Sequence, residues 1–486
     1  MKLSVSIAAL LATAGAFFPA DAWTITSSDV QPSAEGSAAH QELVKYWTIQ
    51  GGAALTSVQV GLVGRVFIDY DASLASQETK PASDDSSAST ATDEDIVVDG
   101  DAVVARVAVS GDSRALLNAI EVVAVSPEND ADGIKLRFKN EDLDVAGYVL
   151  TEVAVAARQK LTSIAAVGST DLIVGLDALV QHDSNATLDL SAAGSADIFV
   201  NLPQETLDIG ALELSTAGSA DVQVDVSRLQ VQTDVEINVA GSGDAAIVAS
   251  NAVVVGDSLS SSIGGSGDIF VQTAWLETKQ LQTSVAGSGD VTYARNGSCV
   301  TQHVEIAGSG DVAAGSIVCA RSSVEIVGSG DVLVQTTEEL DVSTVFSGTV
   351  KYVGEPPKTI VSDGVLRFRK HQSDAKQAKK NKYDEYDVKP VPSRSAVHVQ
   401  LQLHESFFSD EPRHGGFWSW LIGSDDDTND TADFSSTTSL SRHVPTASSP
   451  ATAVIIVLAV GAVGFMTTFR RVQQHIERRQ YQPLIN

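Results

Sequence analysis

The sequence predicts an all-β protein: a right-handed parallel β-helix ectodomain with one C-terminal transmembrane helix. Three observations carry this. A Gly-Ser-Gly-Asp motif returns every 20 to 26 residues, apolar and polar residues alternate strictly through each copy, and an uncharged stretch of nineteen residues, 451–469, is followed by arginines.

The repeat comes first. Its aspartates are Asp171, Asp197, Asp221, Asp244, Asp268, Asp290, Asp311 and Asp331, and a weaker copy, "VSGDS", carries Asp112. A fixed period in this range marks a solenoid. In "VEIAGSGDV", Val304, Ile306, Gly308, Gly310 and Val312 share one face, and Glu305, Ala307, Ser309 and Asp311 share the other. Period two means extended strand rather than helix. The Leu and Asn signature of a leucine-rich repeat is absent. Each repeat therefore reads as one coil, stacked about 4.8 Å from the next. The inward positions flanking Ser are Gly, Ala or Thr in every copy, so the wall is tight there in every coil.

Serines and aspartates pointing outward then form files along the solenoid. Adjacent carboxylates repel by about 1 kcal/mol per pair at the dielectric of water. Two arrangements offset this. Each Asp accepts hydrogen bonds from turn N–H groups or the Ser hydroxyl, or the file binds Ca²⁺. The Gly/Asp-rich calcium repeats have a nine-residue period, whereas these copies come once per coil without a second acidic ligand. No other cofactor is implied.

Cys299 and Cys319 are the only cysteines, and each lies five residues before the matching Val of its repeat, Val304 and Val324. They should sit one above the other on adjacent coils, within the Cα separation a disulfide accepts. A disulfide or two stacked buried thiols both satisfy that placement.

The set of repeats resembles the head GIN domain family of auto-transporter adhesins, whose members repeat "sGSGDi" along a parallel β-helix. The resemblance covers roughly residues 41–371. It includes the eight motif copies, the closing "FSGTVKYVGEPPKTIVSDG" and "YVLTEVAVAARQKLTSIAAVGSTD", which looks like the family's first full coil. The chain departs from the pattern at Thr170, Ala196 and Ala220, where the family favours Gly, and at "ASLASQETKPASDDSSASTATDED", which reads as a disordered insertion at about 71–95. The resemblance implies a non-enzymatic, adhesin-like binding protein.

The flanks set the topology. Residues 1–22 read as a signal peptide: Lys2, an apolar run, then Ala20-Asp21-Ala22. Residues 23–40 are a polar segment, 41–371 the β-helix domain with its regular coils at 161–371, 372–395 a charged linker, and 396–450 a juxtamembrane segment and stalk. Residues 451–469 can cross a bilayer as a helix, and Arg470, Arg471, Arg478 and Arg479 place the tail 470–486 on the cytosolic side. The predicted topology is single-pass type I, at the cell surface or in the endomembrane system. Asn185, Asn296 and Asn429 head glycosylation sequons. Tyr481 and Leu484 match the Y-x-x-Φ pattern that a sorting adaptor reads as an extended peptide.

Composition removes some functions. Acidic residues outnumber basic ones 62 to 32, for a formal charge of −30, which argues against nucleic acid as a partner. Catalysis needs an acid and a base set apart from the rest, but these acids recur identically in every coil, and no recurring His accompanies the serines. The reading is a protein that presents a rigid rod to protein or glycan ligands. A structural spacer or coat protein without a specific ligand is the alternative, and a carbohydrate-active enzyme the third.

Overall fold

A computed structural model describes residues 23–34, 38–75, 102–125, 133–139, 143–362 and 375–403. The expected signal peptide 1–22, most of the 71–95 segment, Asn429, the expected membrane span 451–469 and the segment with Tyr481 and Leu484 lie outside the described residues. Among the described residues no helix is long and apolar enough to cross a membrane.

From Ser163 to Tyr352 the chain is a parallel β-solenoid. Strands stack residue on residue: Asp171 pairs with Asp197 and Asp197 with Asp221, and Gly168 pairs with Gly194 and Gly194 with Gly218. The alternation read from the sequence is the in–out alternation of this wall. One inward file runs Ile164, Leu190, Leu214, Ile237, Ser261, Thr283, Val304, Val324, Val342, and every member is at least 98% buried. Each aliphatic member contributes about 1.5–3 kcal/mol by leaving water. Two hydroxyl residues interrupt the file. Tyr293, wholly buried, places its OH 2.8 Å from Thr283 Oγ1, and burial pushes its phenol pKa up to about 12.

The N-terminal part differs from a simple series of early coils. Strands Thr24–Ser27, Leu43–Gln50 and Val103–Gly111 run antiparallel in succession and meet Leu143–Val155, also antiparallel. They bury Trp47, Ile49, Val107 and Val109. The strands Ser57–Gly61 and Val63–Tyr70 lie between Gly133–Phe138 and Leu143–Val155 on one side and Ser163–Val174 on the other. So "YVLTEVAVAARQKLTSIAAVGSTD" is not one coil laid directly on the next, because Val63–Tyr70 intervenes. That strand buries Val66 and Ile68 inward and turns Phe67 outward, as Leu172, Val174 and Ile173 do. Alternation gives its faces, while its neighbours depend on contacts far along the chain. Asp112 of the weaker "VSGDS" copy sits in this antiparallel region, outside the aspartate file, and accepts the Tyr148 N–H at 2.7 Å.

The segment expected as a charged linker is a strap. Lys376 and Gln377 pair with Lys351 and Tyr352 at the last coil. The chain then runs back along the solenoid, and Val397–Leu403, within the span read as juxtamembrane, pairs antiparallel with residues 143–149 at the opposite end. Its contacts explain the departure. Asn381 donates to Ser316 Oγ at 2.8 Å. Gln223 receives the Lys389 N–H at 2.8 Å and the Tyr386 hydroxyl at 3.1 Å, and returns a bond to the Lys389 carbonyl at 3.1 Å. Tyr386 packs against Phe270, Arg394 lies over the Phe67 ring, and Val391 and Ala396 pack on Phe67, Leu150, Ile173 and Phe199. These outward apolar side chains would face water without the strap.

Candidate functional site

The aspartate file lies at the corner where regular strand pairing breaks after the Gly-Ser-Gly turn. From Asp221 onward each Asp N–H points to the preceding coil, and the carboxylate of that coil's Asp receives it. The bonds run Asp221 to Asp197 (3.1 Å), Asp244 to Asp221 (2.7 Å), Asp268 to Asp244 (2.9 Å), Asp290 to Asp268 (2.8 Å), Asp311 to Asp290 (2.7 Å) and Asp331 to Asp311 (2.7 Å). A return bond closes the link: the N–H after one Asp donates to the carbonyl of the next, as from Val291 to Asp311 at 2.9 Å. Charge-assisted bonds of this kind are stronger than neutral ones and offset the repulsion along the file.

Cations from distant parts of the chain approach three members. Arg65 Nε lies 3.6 Å from Asp171, Lys389 forms an ion pair with Asp221, and Lys351 Nζ lies 2.8 Å from Asp331. The sequence hides these partners because Arg65 and Lys389 are remote from the motifs they meet. Burial is the main cause that pushes the pKa values of Asp197, Asp268 and Asp311 upward; neighbouring carboxylates add to it, and the N–H bond each carboxylate accepts pulls the other way, more strongly than any single neighbour at Asp268 and Asp311. Among the described residues no group of three or more His, Cys, Asp or Glu is arranged to hold a metal ion.

The corner has two forms. Gly194 and Gly218 adopt φ of 85°, and Ala196 and Ala220 follow them. From Gly241 onward φ is 134–153°, and the second small residue becomes Gly243, Gly267, Gly289, Gly310 and Gly330. A Cβ on Gly310 would overlap the Gly289 carbonyl oxygen. The alanines that depart from the family pattern therefore accompany a different turn. Thr170, wholly buried, uses its hydroxyl to reach the Leu62 carbonyl at 2.7 Å.

Cys299 and Cys319 are register partners joined by a disulfide, with Cα atoms 4.5 Å apart. Asn185 and Asn296 are both exposed, at places where the coil register shifts.

The strap covers the wall that follows the aspartates. Among the described residues the strap does not touch the wall that precedes each Gly-Ser-Gly. One outward file there is polar, Ser191, Ser215, Asn238, Ser262 and Ser284, continuing as Glu305 and Glu325; another is small and apolar, Ala193, Ala217, Ala240, Gly264, Ala286 and Ala307. A third file stacks Asp189, Glu213 and Glu236 on successive coils. Burial raises the pKa values of Asp189 and Glu213, and the flanking carboxylates add to this at Glu213.

Toward the last coils this wall holds a cleft of about 350 Å³. Two outward files form its sides: Gln280, Thr301, Arg321, Glu339 and Gln282, His303, Ser323, Asp341. The file between them points inward, where Gln302 is 3% exposed and accepts the Ser322 hydroxyl at 3.0 Å. His303 Nε2 lies 2.8 Å from Glu305, whose hydrogen bond raises the imidazole pKa against the effect of burial. Ser323, the register partner of His303, makes no hydrogen bond to the ring among the described residues, so a Ser-His-acid relay is not assembled there. The repeat motif does not mark this cleft. Its signal in the sequence lies outside the motif: coils 280–282, 301–303 and 321–323 carry amides, a His and an Arg where earlier coils carry Ser and acids.

Fold and site together define a disulfide-tied, all-β solenoid with a carboxylate-to-backbone ladder. Residues 251–356, which hold the copies at Asp268, Asp290, Asp311 and Asp331, match the family described as "Putative auto-transporter adhesin, head GIN domain". The resemblance read from the repeats is shown in that segment. No curated protein matches the chain. Among solved structures, a "putative adhesin" from Parabacteroides distasonis ATCC 8503 is similar at 15% identity and TM-score 0.32, over 69% of this chain and 97% of that one. A "Putative lipid binding protein" from the same organism shares 14% identity at TM-score 0.30, over 74% and 97%. A "putative adhesin" from Parabacteroides merdae ATCC 43184 shares 12% at TM-score 0.30, over 69% and 96%.

Proposed function

We propose that this chain is a non-enzymatic, adhesin-like binding protein that presents the open wall of a rigid right-handed solenoid to a protein or glycan ligand. One observation carries the reading. The strap lies on one wall with its own side chains, while among the described residues it makes no contact with the wall before each Gly-Ser-Gly, which stacks small residues in register from Ser191 to Ser284. Repetition at fixed spacing suits many weak contacts acting together. The family description agrees with a binding role. The recurrence of each acid in an equivalent place suits a structural device better than a catalytic pair.

In this reading the signal peptide 1–22 exports the chain, 451–469 anchors it as a single-pass type I protein, and Asn185, Asn296 and Asn429 accept glycans. The tail offers Tyr481 and Leu484 to a sorting adaptor. The aspartates serve the turn rather than Ca²⁺, an assignment supported by their N–H bonds. A spacer without a ligand is the rival reading. Cell-surface binding by the purified full-length chain in detergent separates them. Saturable binding that disappears when Asn238, Ser262 and Ser284 are replaced by Lys supports the proposal, and binding that is absent or indifferent to those changes sinks it.

A further inference from the structure

We infer that the cleft between the Gln280 and Gln282 files is a binding subsite for a neutral, polyhydroxylated ligand, a short run of uncharged sugar residues. The inference rests on the binding reading above and names the ligand chemistry. The cleft mixes donors and acceptors along both sides. Arg321, the amides of Gln280 and Gln282 and the His303 ring donate, while Glu339, Asp341, Thr301 and Ser323 accept. Arg321, Glu339 and Asp341 have no hydrogen-bond or ion-pair partner among the described residues, although Arg321 and Glu339 are register partners on adjacent strands. Their capacity is unspent and faces the cleft.

The charges decide the ligand class. An anionic ligand seeking Arg321 would meet Glu339 and Asp341, with Glu305 two residues beyond His303. A cationic ligand seeking those carboxylates would meet the Arg321 guanidinium. A hydroxyl group both donates and accepts, so vicinal hydroxyls can satisfy the carboxylates and the guanidinium together without a like-charge contact. The volume suits a small number of sugar rings and is at the lower end for small-molecule sites. Among the described residues no Phe, Tyr or Trp lines the cleft, so binding at this one place is weak and gains from repetition on a polymer or a crowded surface.

The test uses the full-length chain in detergent on an array of hexasaccharides in three classes: neutral (cellohexaose, mannohexaose, N-acetylchitohexaose), acidic (hexagalacturonate) and cationic (chitosan hexamer). The proposal expects binding to at least one neutral hexamer, and a loss of at least tenfold for Arg321→Ala and for the pair Glu339→Gln, Asp341→Asn. All three positions are exposed, so unchanged melting of these variants keeps the comparison clean. Preference for the acidic hexamer, strengthened by Glu339→Gln and Asp341→Asn, overturns the inference, as does preference for the chitosan hexamer strengthened by Arg321→Ala. Neutral binding unaffected by all three changes also overturns it. A blank array together with retained cell-surface binding removes the inference and leaves the binding reading standing. Loss of both removes both.

Discussion

The Asp290 carboxylate accepts the backbone N–H of Asp311 at 2.7 Å, one full coil further along the chain. The same bond recurs from Asp197 to Asp331, so a file of like charges acts as a seam. At the corner the strand ladder lapses, and an Asp side chain stands in for the missing backbone acceptor.

Removing a central acceptor should therefore cost more than removing the last one. Asp290→Ala leaves the Asp311 N–H without its partner and should destabilise by about 1–3 kcal/mol. Asp290→Asn keeps an oxygen acceptor and should cost less. Asp331→Ala loses the exposed pair with Lys351, worth about 0–1 kcal/mol. Urea unfolding of the three variants checks the order.

Acidification from neutral pH toward about 5 should stabilise the fold, not weaken it. The folded-state pKa values of Asp189, Asp197, Glu213, Asp268 and Asp311 are raised, chiefly by burial. In the window between their ordinary values and the raised ones the folded state binds more protons, so stability falls as pH rises through it. His303 acts in the same direction. Its pKa is raised by Glu305, so its contribution is complete below about 6.5 and is lost as pH rises through the folded value. Denaturant midpoints at pH 7 and pH 5 test the sign, and a lower midpoint at pH 5 would contradict it.

The strap should detach locally before the solenoid opens. Gln223 makes three bonds to it, so Gln223→Ala should lower hydrogen-exchange protection over 384–391 by roughly 10–100-fold, at about 1 kcal/mol per bond. Protection in Val291–Gly308 should hold. Equal protection of the strap in both proteins would mean that Gln223 does not fasten it.

The late corners should reject any side chain. Gly308 has φ of 149°, and a Cβ there would overlap the Gly287 carbonyl oxygen. Gly308→Ala should cost about 1–3 kcal/mol from the backbone alone. Ala307→Ser, on the outward side of the same strand, should change stability by less than about 0.5 kcal/mol. Thermal melts of the two variants read the difference.

What the sequence revealed follows from its physics. Eight motif copies with period-two flanks state the coil, its facing and the Cys299–Cys319 pairing, because each of these is a local pattern repeated at a fixed offset. The strap was illegible for the opposite reason. "KKNKYDEYDVKPVPSRS" has the composition of a solvated linker, and its attachment depends on residues far back along the chain, among them Ser316, Phe270 and Gln223. The place of Val63–Tyr70 was hidden likewise, since alternation fixes which face is buried and leaves the neighbour open. The cleft required seeing that three adjacent coils change their outward residues together, at positions the motif does not include.

Register between coils underlies the ladder, the disulfide, the open wall and the cleft. It is tested most directly by cysteine cross-linking on the open wall of the full-length chain, where the native cysteines are already paired. Ser284→Cys with Glu305→Cys joins register partners, which should close a disulfide as Cys299 and Cys319 do at 4.5 Å. Ser284→Cys with Ala307→Cys lies two residues out of register, at roughly 8 Å, beyond the reach of the bond. Under mild oxidation the first pair should cross-link and the second should not, and the reverse result would rule out a shared register between coils.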